Sequence, residues 1–155
     1  MKLRLLLSLL IGVAFLEAKV APVEITTSSY QKVVTTSKGK KVVEWKKVTK
    51  AVPGTIIKYV NRVKNNSNKP LEKVVVRNKI NPNLLYLPKS AKSSSNIKVK
   101  FSVDGKRFKE ANKLFVVKDG KRRLATYKEY KAIEWEIAKV NPKQYVNLEF
   151  QTKIK

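Results

Sequence analysis

The chain has 155 residues, with 35 Lys and Arg against 11 Asp and Glu, a net charge of +24, and neither cysteine nor histidine. Those two absences exclude a thiol nucleophile, a Ser-His-Asp triad, a disulfide framework and a histidine-based zinc site, so the fold must stand on core burial alone. With 43% hydrophobic residues and only 5 glycines, general disorder and fibrous repeats are excluded too, and one compact domain is the expectation.

Residues 1–18, "MKLRLLLSLLIGVAFLEA", read as a secretory signal peptide: Lys2 and Arg4 form a positive start, Leu5 to Leu16 is almost wholly apolar, and Ala18 suits the last position before cleavage, with Ala14 as an alternative. The apolar run is well short of the roughly 20 residues that span a bilayer. Removing Lys2, Arg4 and Glu17 leaves 33 basic and 10 acidic residues, a net charge of +23 on the mature chain. Such a field attracts anionic polymers or membrane surfaces. Of the 35 basic residues 29 are Lys and 6 Arg, which favours diffuse point charge over bidentate recognition of phosphate or carboxylate.

From residue 23 onward apolar residues recur with period two, the signature of half-buried strands, and no segment keeps a helical period. The candidates in chain order are 23–36, 41–48, 55–64, 72–79, 84–87, 97–103, 114–117, 132–138 and 145–155. In the last of these Val146, Leu148, Phe150, Thr152 and Ile154 share one face, while Tyr145, Asn147, Glu149, Gln151 and Lys153 share the other. Turn chemistry separates the runs: "SKGK" at 37–40, Pro53-Gly54, "NNSNKP" at 65–70, "NPN" at 81–83 and Asn141-Pro142. The "DGKR" motif occurs twice, and both Asp104-Gly105 and Asp119-Gly120 favour tight hairpins. The stretch 88–96, "PKSAKSSSN", reads as a mobile loop. The pattern indicates an all-β fold, an antiparallel β-sandwich of about seven to nine strands.

Glu134 and Glu136 flank Trp135 and raise the question of a carboxylate pair. Alternation puts Ile133, Trp135 and Ile137 on the dry face and both glutamates on the exposed one. Two strand positions set the Cα atoms roughly 6–7 Å apart, which overlaps the separations glycosidases use. A general acid also needs apolar burial or a second carboxylate against it, and an exposed face rich in Lys offers the reverse, so cross-strand pairing with Lys is the favoured role. Trp135 belongs to the core with Tyr59, Ile137, Leu148 and Phe150, whereas Trp45, in the poorly alternating "VVEWKKV", is the ring to expect at the surface. Outward positions are mostly Lys, Ser, Thr and Asn without interleaved aromatics, which argues against nucleic acid. Asn65-Asn66-Ser67 matches a glycosylation sequon but reads better as a turn.

The run "AVPGTIIKYVNRVKNNSNKPLEKVVVRNKINPNLLYLPKSA" (51–91) carries Pro53-Gly54, Tyr59, Asn65, Val74 to Val76, Asn78, Pro82 and Leu84 to Leu87 in one order. It is followed by "FSVDGKRF" (101–108) and "IEWEIAKVNPKQYVNLEFQTKIK" (133–155). This succession resembles the conserved-repeat Ig-like domain of unknown function, family eleven, found in bacterial exported and surface proteins. Asn78 stands where that family usually has Asp, Lys143 where Gly usually follows Pro142, and Asn61 breaks an apolar position. The resemblance implies an Ig-like sandwich with spacer, adhesive or assembly roles, and it supplies no catalytic residues.

The resulting expectation is a signal peptide over 1–18, N-terminal strands or an extension of the sandwich over 19–50, and an Ig-like domain over 51–155. The function expected is a non-catalytic structural or interaction module of the bacterial periplasm or cell surface, with envelope proteins as partners and no cofactor. One alternative is a module binding an anionic envelope polysaccharide through Lys58, Arg62, Lys73, Arg77, Lys98 and Lys100. A remote one is a glycoside hydrolase using Glu134 and Glu136.

Overall fold

A computed structural model describes residues 21–155, so the signal-peptide reading lies outside the described residues. The strands are β1 (Val23–Ser37), β2 (Lys40–Lys47), β3 (Ile56–Asn65), β4 (Leu71–Lys79), β5 (Leu84–Tyr86), β6 (Lys92–Ser93), β7 (Ile97–Ser102), β8 (Phe115–Lys118), β9 (Lys121–Leu124), β10 (Ala132–Val140) and β11 (Tyr145–Ile154). All pairings between them are antiparallel. One sheet runs β2-β1-β3-β11-β5 with β6 also on β11, the second runs β4-β10-β7, and β8 and β9 form a separate hairpin. The protein is an antiparallel β-sandwich, and the two strands beyond the nine candidates are β6 and β9.

Alternation builds the interior. Ile133, Trp135 and Ile137 of β10 and Leu148 of β11 are 0–1% exposed, and Val63 of β3 is 0% exposed. Trp135 and Phe150 meet with ring centroids 6.3 Å apart, and Phe150 stacks on half-buried Tyr59 at 5.0 Å. Such aromatic pairs add about 0.5–1.5 kcal/mol to the burial of their area. One buried amide is matched by polar groups around it. Asn61, 0% exposed, exchanges amide hydrogen bonds with Asn78, Thr27 donates to Asn61, and the Trp135 indole donates to Asn78.

The turns explain which strands pair. Lys38 and Gly39 have φ of 50° and 76°, and Asp119 and Gly120 have 51° and 72°, so both two-residue hairpins have positive φ at their two central residues. That twist matches the right-handed twist of the flanking strands. The first "DGKR", at 104–107, does not behave like the second. Asp104 accepts hydrogen bonds from Ser102 Oγ and from the Lys106 and Arg107 amides, which folds 102–108 into a wider loop. The chain then returns so that Phe101 pairs with Lys109. Asp104-Gly105 is therefore not a tight hairpin, because its carboxylate caps local amides instead of leaving them to a ladder. At Pro53-Gly54 the Thr55 amide donates to Val52 O at 3.0 Å and Gly54 has φ 88°. The Gly54 amide ties this turn to Ile154 of the last strand.

Two other expectations are corrected. Segment 88–96 is anchored: buried Ser90 accepts from the Gln151 amide, Ser94 Oγ accepts from the Asn147 amide, and β6 pairs with β11. Glu134 keeps the phase of the outer face but is only 4% exposed. It sits on the central strand of a three-stranded sheet, where long side chains from both neighbours close over it. Asn65 is also 0% exposed, with its amide donating to Lys69 O and Val140 O, so the sequon is a turn and its asparagine is inaccessible.

A candidate basic and aromatic sheet face

The six cations expected to bind anions divide between opposite outer faces. Lys58 and Arg62 lie on β3 in the larger sheet, whereas Lys73 and Arg77 lie on β4 and Lys98 and Lys100 on β7 in the smaller one. They do not form one patch.

On the smaller sheet two of the four, Arg77 and Lys100, are spent on glutamates. The register sets Glu134 opposite Arg77 on one side and Lys100 on the other. Arg77 Nε donates to Glu134 Oε2 at 2.6 Å, and Lys100 Nζ lies 4.0 Å from Glu134 Oε1 while also pairing with Glu136. The Arg77 guanidinium lies 4.8 Å from the Phe108 ring centroid. Glu136, accepting from Lys100, raises the pKa of that lysine. A carboxylate buried between two cations is held as an acceptor. With Arg77 and Lys100 on its two flanks and Glu136 held by the same lysine, the carboxylate pair reads as a cross-strand brace.

The larger sheet is different. Paired positions share a face, and the register couples Tyr30 with Lys58, Lys32 with Trp45 and Lys64 with Tyr145. Lys58 Nζ stands 4.6 Å from the Trp45 ring centroid and 5.7 Å from that of Tyr30. The Arg62 guanidinium stands 4.2 Å from the Tyr145 centroid, and its Nε donates to Asn147. The face thus carries Lys32, Lys47, Lys58, Arg62 and Lys64, against Glu24 and Glu149. Neither Lys58 nor Arg62 takes part in an ion pair among the described residues. Cations held over ring faces keep their charge available to a ligand, and the rings offer flat apolar area beside it.

The sequence-based view of outward positions as Lys, Ser, Thr and Asn therefore needs revising: Tyr30, Trp45 and Tyr145 interleave with the cations. Each ring comes from a different strand, and the signal that could have found them is the phase each shares with a neighbouring Lys or Arg. Trp45 is half-buried, whereas Trp135 is wholly internal. Beyond this face β1 and β2 continue as a two-stranded ribbon in which Val34 and Val43, directly paired, are 54% and 51% exposed.

Among the described residues no group of three or more acidic side chains gathers to hold a metal, and no helix is long and apolar enough to cross a membrane. No family model, no curated protein and no solved structure matches the chain.

Proposed function

We propose that this chain is a non-catalytic, exported interaction module with an Ig-like sandwich, and that it binds an acidic polysaccharide of the bacterial envelope through the outer face of its larger sheet. The observation that carries this reading is the placement of Lys58 between Tyr30 and Trp45, with Arg62 stacked on Tyr145 on the same face. A polyuronate presents sugar-ring faces to aromatic rings and a regular row of carboxylates to cations, and this face supplies both kinds of contact. The export reading of residues 1–18 favours envelope polysaccharide over nucleic acid. The predominance of Lys over Arg favours spaced point charges over bidentate phosphate contacts.

The test is titration of the protein lacking residues 1–18 with alginate at rising salt, beside single-stranded DNA as a second polyanion. Binding of alginate should weaken as salt screens the cations. The K58E/R62E variant should lose at least tenfold in affinity, while K73E/K98E on the opposite sheet should change it little. Salt-independent binding, equal loss from both double variants, or tighter binding of DNA than of alginate would each sink the reading.

A further inference from the structure

Lys73, the third residue of β4, has φ 53°, a backbone region that L side chains seldom adopt. No residue is inserted there. The register is the same on both sides, with Val74 opposite Ile137 and Glu72 opposite Lys139, yet the ladder skips the position between them, where Ala138 faces Lys73. On the other flank of β10 the pairing with β7 ends at Ile97 opposite Ile137, so Ala138 has no paired neighbour there either. Two interruptions thus meet at the smallest side chain on this stretch of β10.

The result is a groove of about 390 Å³ on the outer face of the smaller sheet, with Lys73 and Val75 on one wall and Ile97 and Lys98 on the other. That volume lies within the range of small-molecule sites, roughly 300–1,000 Å³. Its apolar part is open, since Val75 is 48% exposed. Its charge is unspent: Lys73 and Lys98 take part in no ion pair among the described residues, while Glu136, the acid in the lining, is held by Lys100. Strained backbone that persists beside a cleft is a recurrent mark of a ligand site.

We propose that this groove binds a small amphipathic carboxylate, its apolar body lying over Ala138 between Val75 and Ile97 and its carboxylate held by Lys73 and Lys98. The site is separate from the polysaccharide face, and neither proposal depends on the other.

Octanoate is the probe, followed by amide chemical shifts, with octanol and acetate testing the apolar and anionic halves apart. Saturable shifts are expected at 73–75, 96–98 and 137–138, with octanol and acetate each at least tenfold weaker than octanoate. K73Q and K98Q should each weaken octanoate at least tenfold, and A138L should abolish saturation by filling the groove. K73G removes the amine while relaxing the backbone, so it reports on the anion contact even if K73Q folds poorly. K58E/R62E should bind octanoate like the unaltered chain. The proposal is overturned by absence of saturable shifts, by shifts confined to other residues, by octanol binding as tightly as octanoate, or by K73G and K98Q retaining full affinity.

Discussion

Asn61 and Asn78 exchange two hydrogen bonds across the interior, Asn61 Nδ2 donating to Asn78 Oδ1 at 3.0 Å and Asn78 Nδ2 donating to Asn61 Oδ1 at 3.1 Å. Asn61 interrupts the apolar alternation of β3, and the structure makes it one feature with Asn78. An amide on β3 meets an amide on β4, and Thr27 and the Trp135 indole complete the set. Each side chain is acceptable inside the sandwich because the other is present.

N61V is therefore expected to destabilise the fold by about 2–3 kcal/mol in denaturant titration, since the Asn78 amide then has no acceptor and a buried orphan costs about 1–3 kcal/mol. N61V/N78V should cost less than the two single changes together, with a coupling of about 1 kcal/mol or more. The loss of an acceptor for Trp135 occurs in N78V and in the double variant alike, so it cancels in the cycle. Strict additivity would show that the reciprocal pair contributes nothing as a unit.

Lys143 lies in the turn that leads from β10 into β11. It occupies φ 60°, the conformation in which glycine is at ease, within the turn closed by Gln144 N donating to Asn141 O at 3.2 Å. Its ammonium donates to Asn66 O at 2.6 Å, an exposed contact of small worth. Relief of left-handed strain, about 1–2 kcal/mol, should outweigh both that contact and the greater freedom glycine gives the unfolded chain. K143G is expected to raise stability by up to about 1 kcal/mol, read as a shift of the denaturation midpoint. K143A, which keeps the Cβ and loses the amine, should lower it.

How much of this was legible depends on how local each cause is. β7 and β11 were legible because each buries one face, and a buried face writes period two into the sequence. β9 was not: "KRRL" has one apolar residue, and its strand form comes from β8 through the Asp119-Gly120 turn. Phase was legible for Glu134, but depth was not. Depth depends on Arg77 and Lys100 arriving from strands 57 and 34 positions away, a matter of register between strands and not of pattern within one. The same holds for Tyr30, Trp45 and Tyr145, which become a face only when β1, β2, β3 and β11 are laid side by side.

Acid should loosen the corner that follows the β8–β9 hairpin. Glu129 receives two hydrogen bonds from the Arg123 guanidinium at 2.8 Å and one from the Thr126 amide at 2.9 Å. Arg123, then the Thr126 amide, hold its carboxyl at about 2, below its ordinary 4.5. A carboxyl depressed on folding contributes stability that is full above its unfolded value and disappears as pH falls through its folded one. Stability should therefore fall between about pH 4.5 and pH 2, and E129Q should be less stable at neutral pH with a flatter acid limb. Asp104, depressed first by the Arg107 and Lys106 amides, acts with the same sign, so D104N should flatten the limb further. Acid limbs that superimpose in the unaltered chain and E129Q would contradict this.

The two tryptophans give a direct optical test of the basic face. Trp135 is 0% exposed and should emit at short wavelength, beyond the reach of ionic quenchers. Trp45 is half-buried with Lys58 Nζ 4.6 Å from its ring centroid, so quenching should come from Trp45 alone. A cation over the ring, among further lysines, raises the local concentration of anions and lowers that of cations. Iodide should therefore quench several-fold more strongly than caesium at equal ionic strength, and added chloride should narrow the gap as it screens the field. W45F should remove most quenching and shift the remaining emission to the blue. K58Q should reduce the preference for iodide without exposing Trp135. Equal quenching by the two ions would mean that the face has no net attraction for anions, and the proposed polysaccharide site would lose its electrostatic basis.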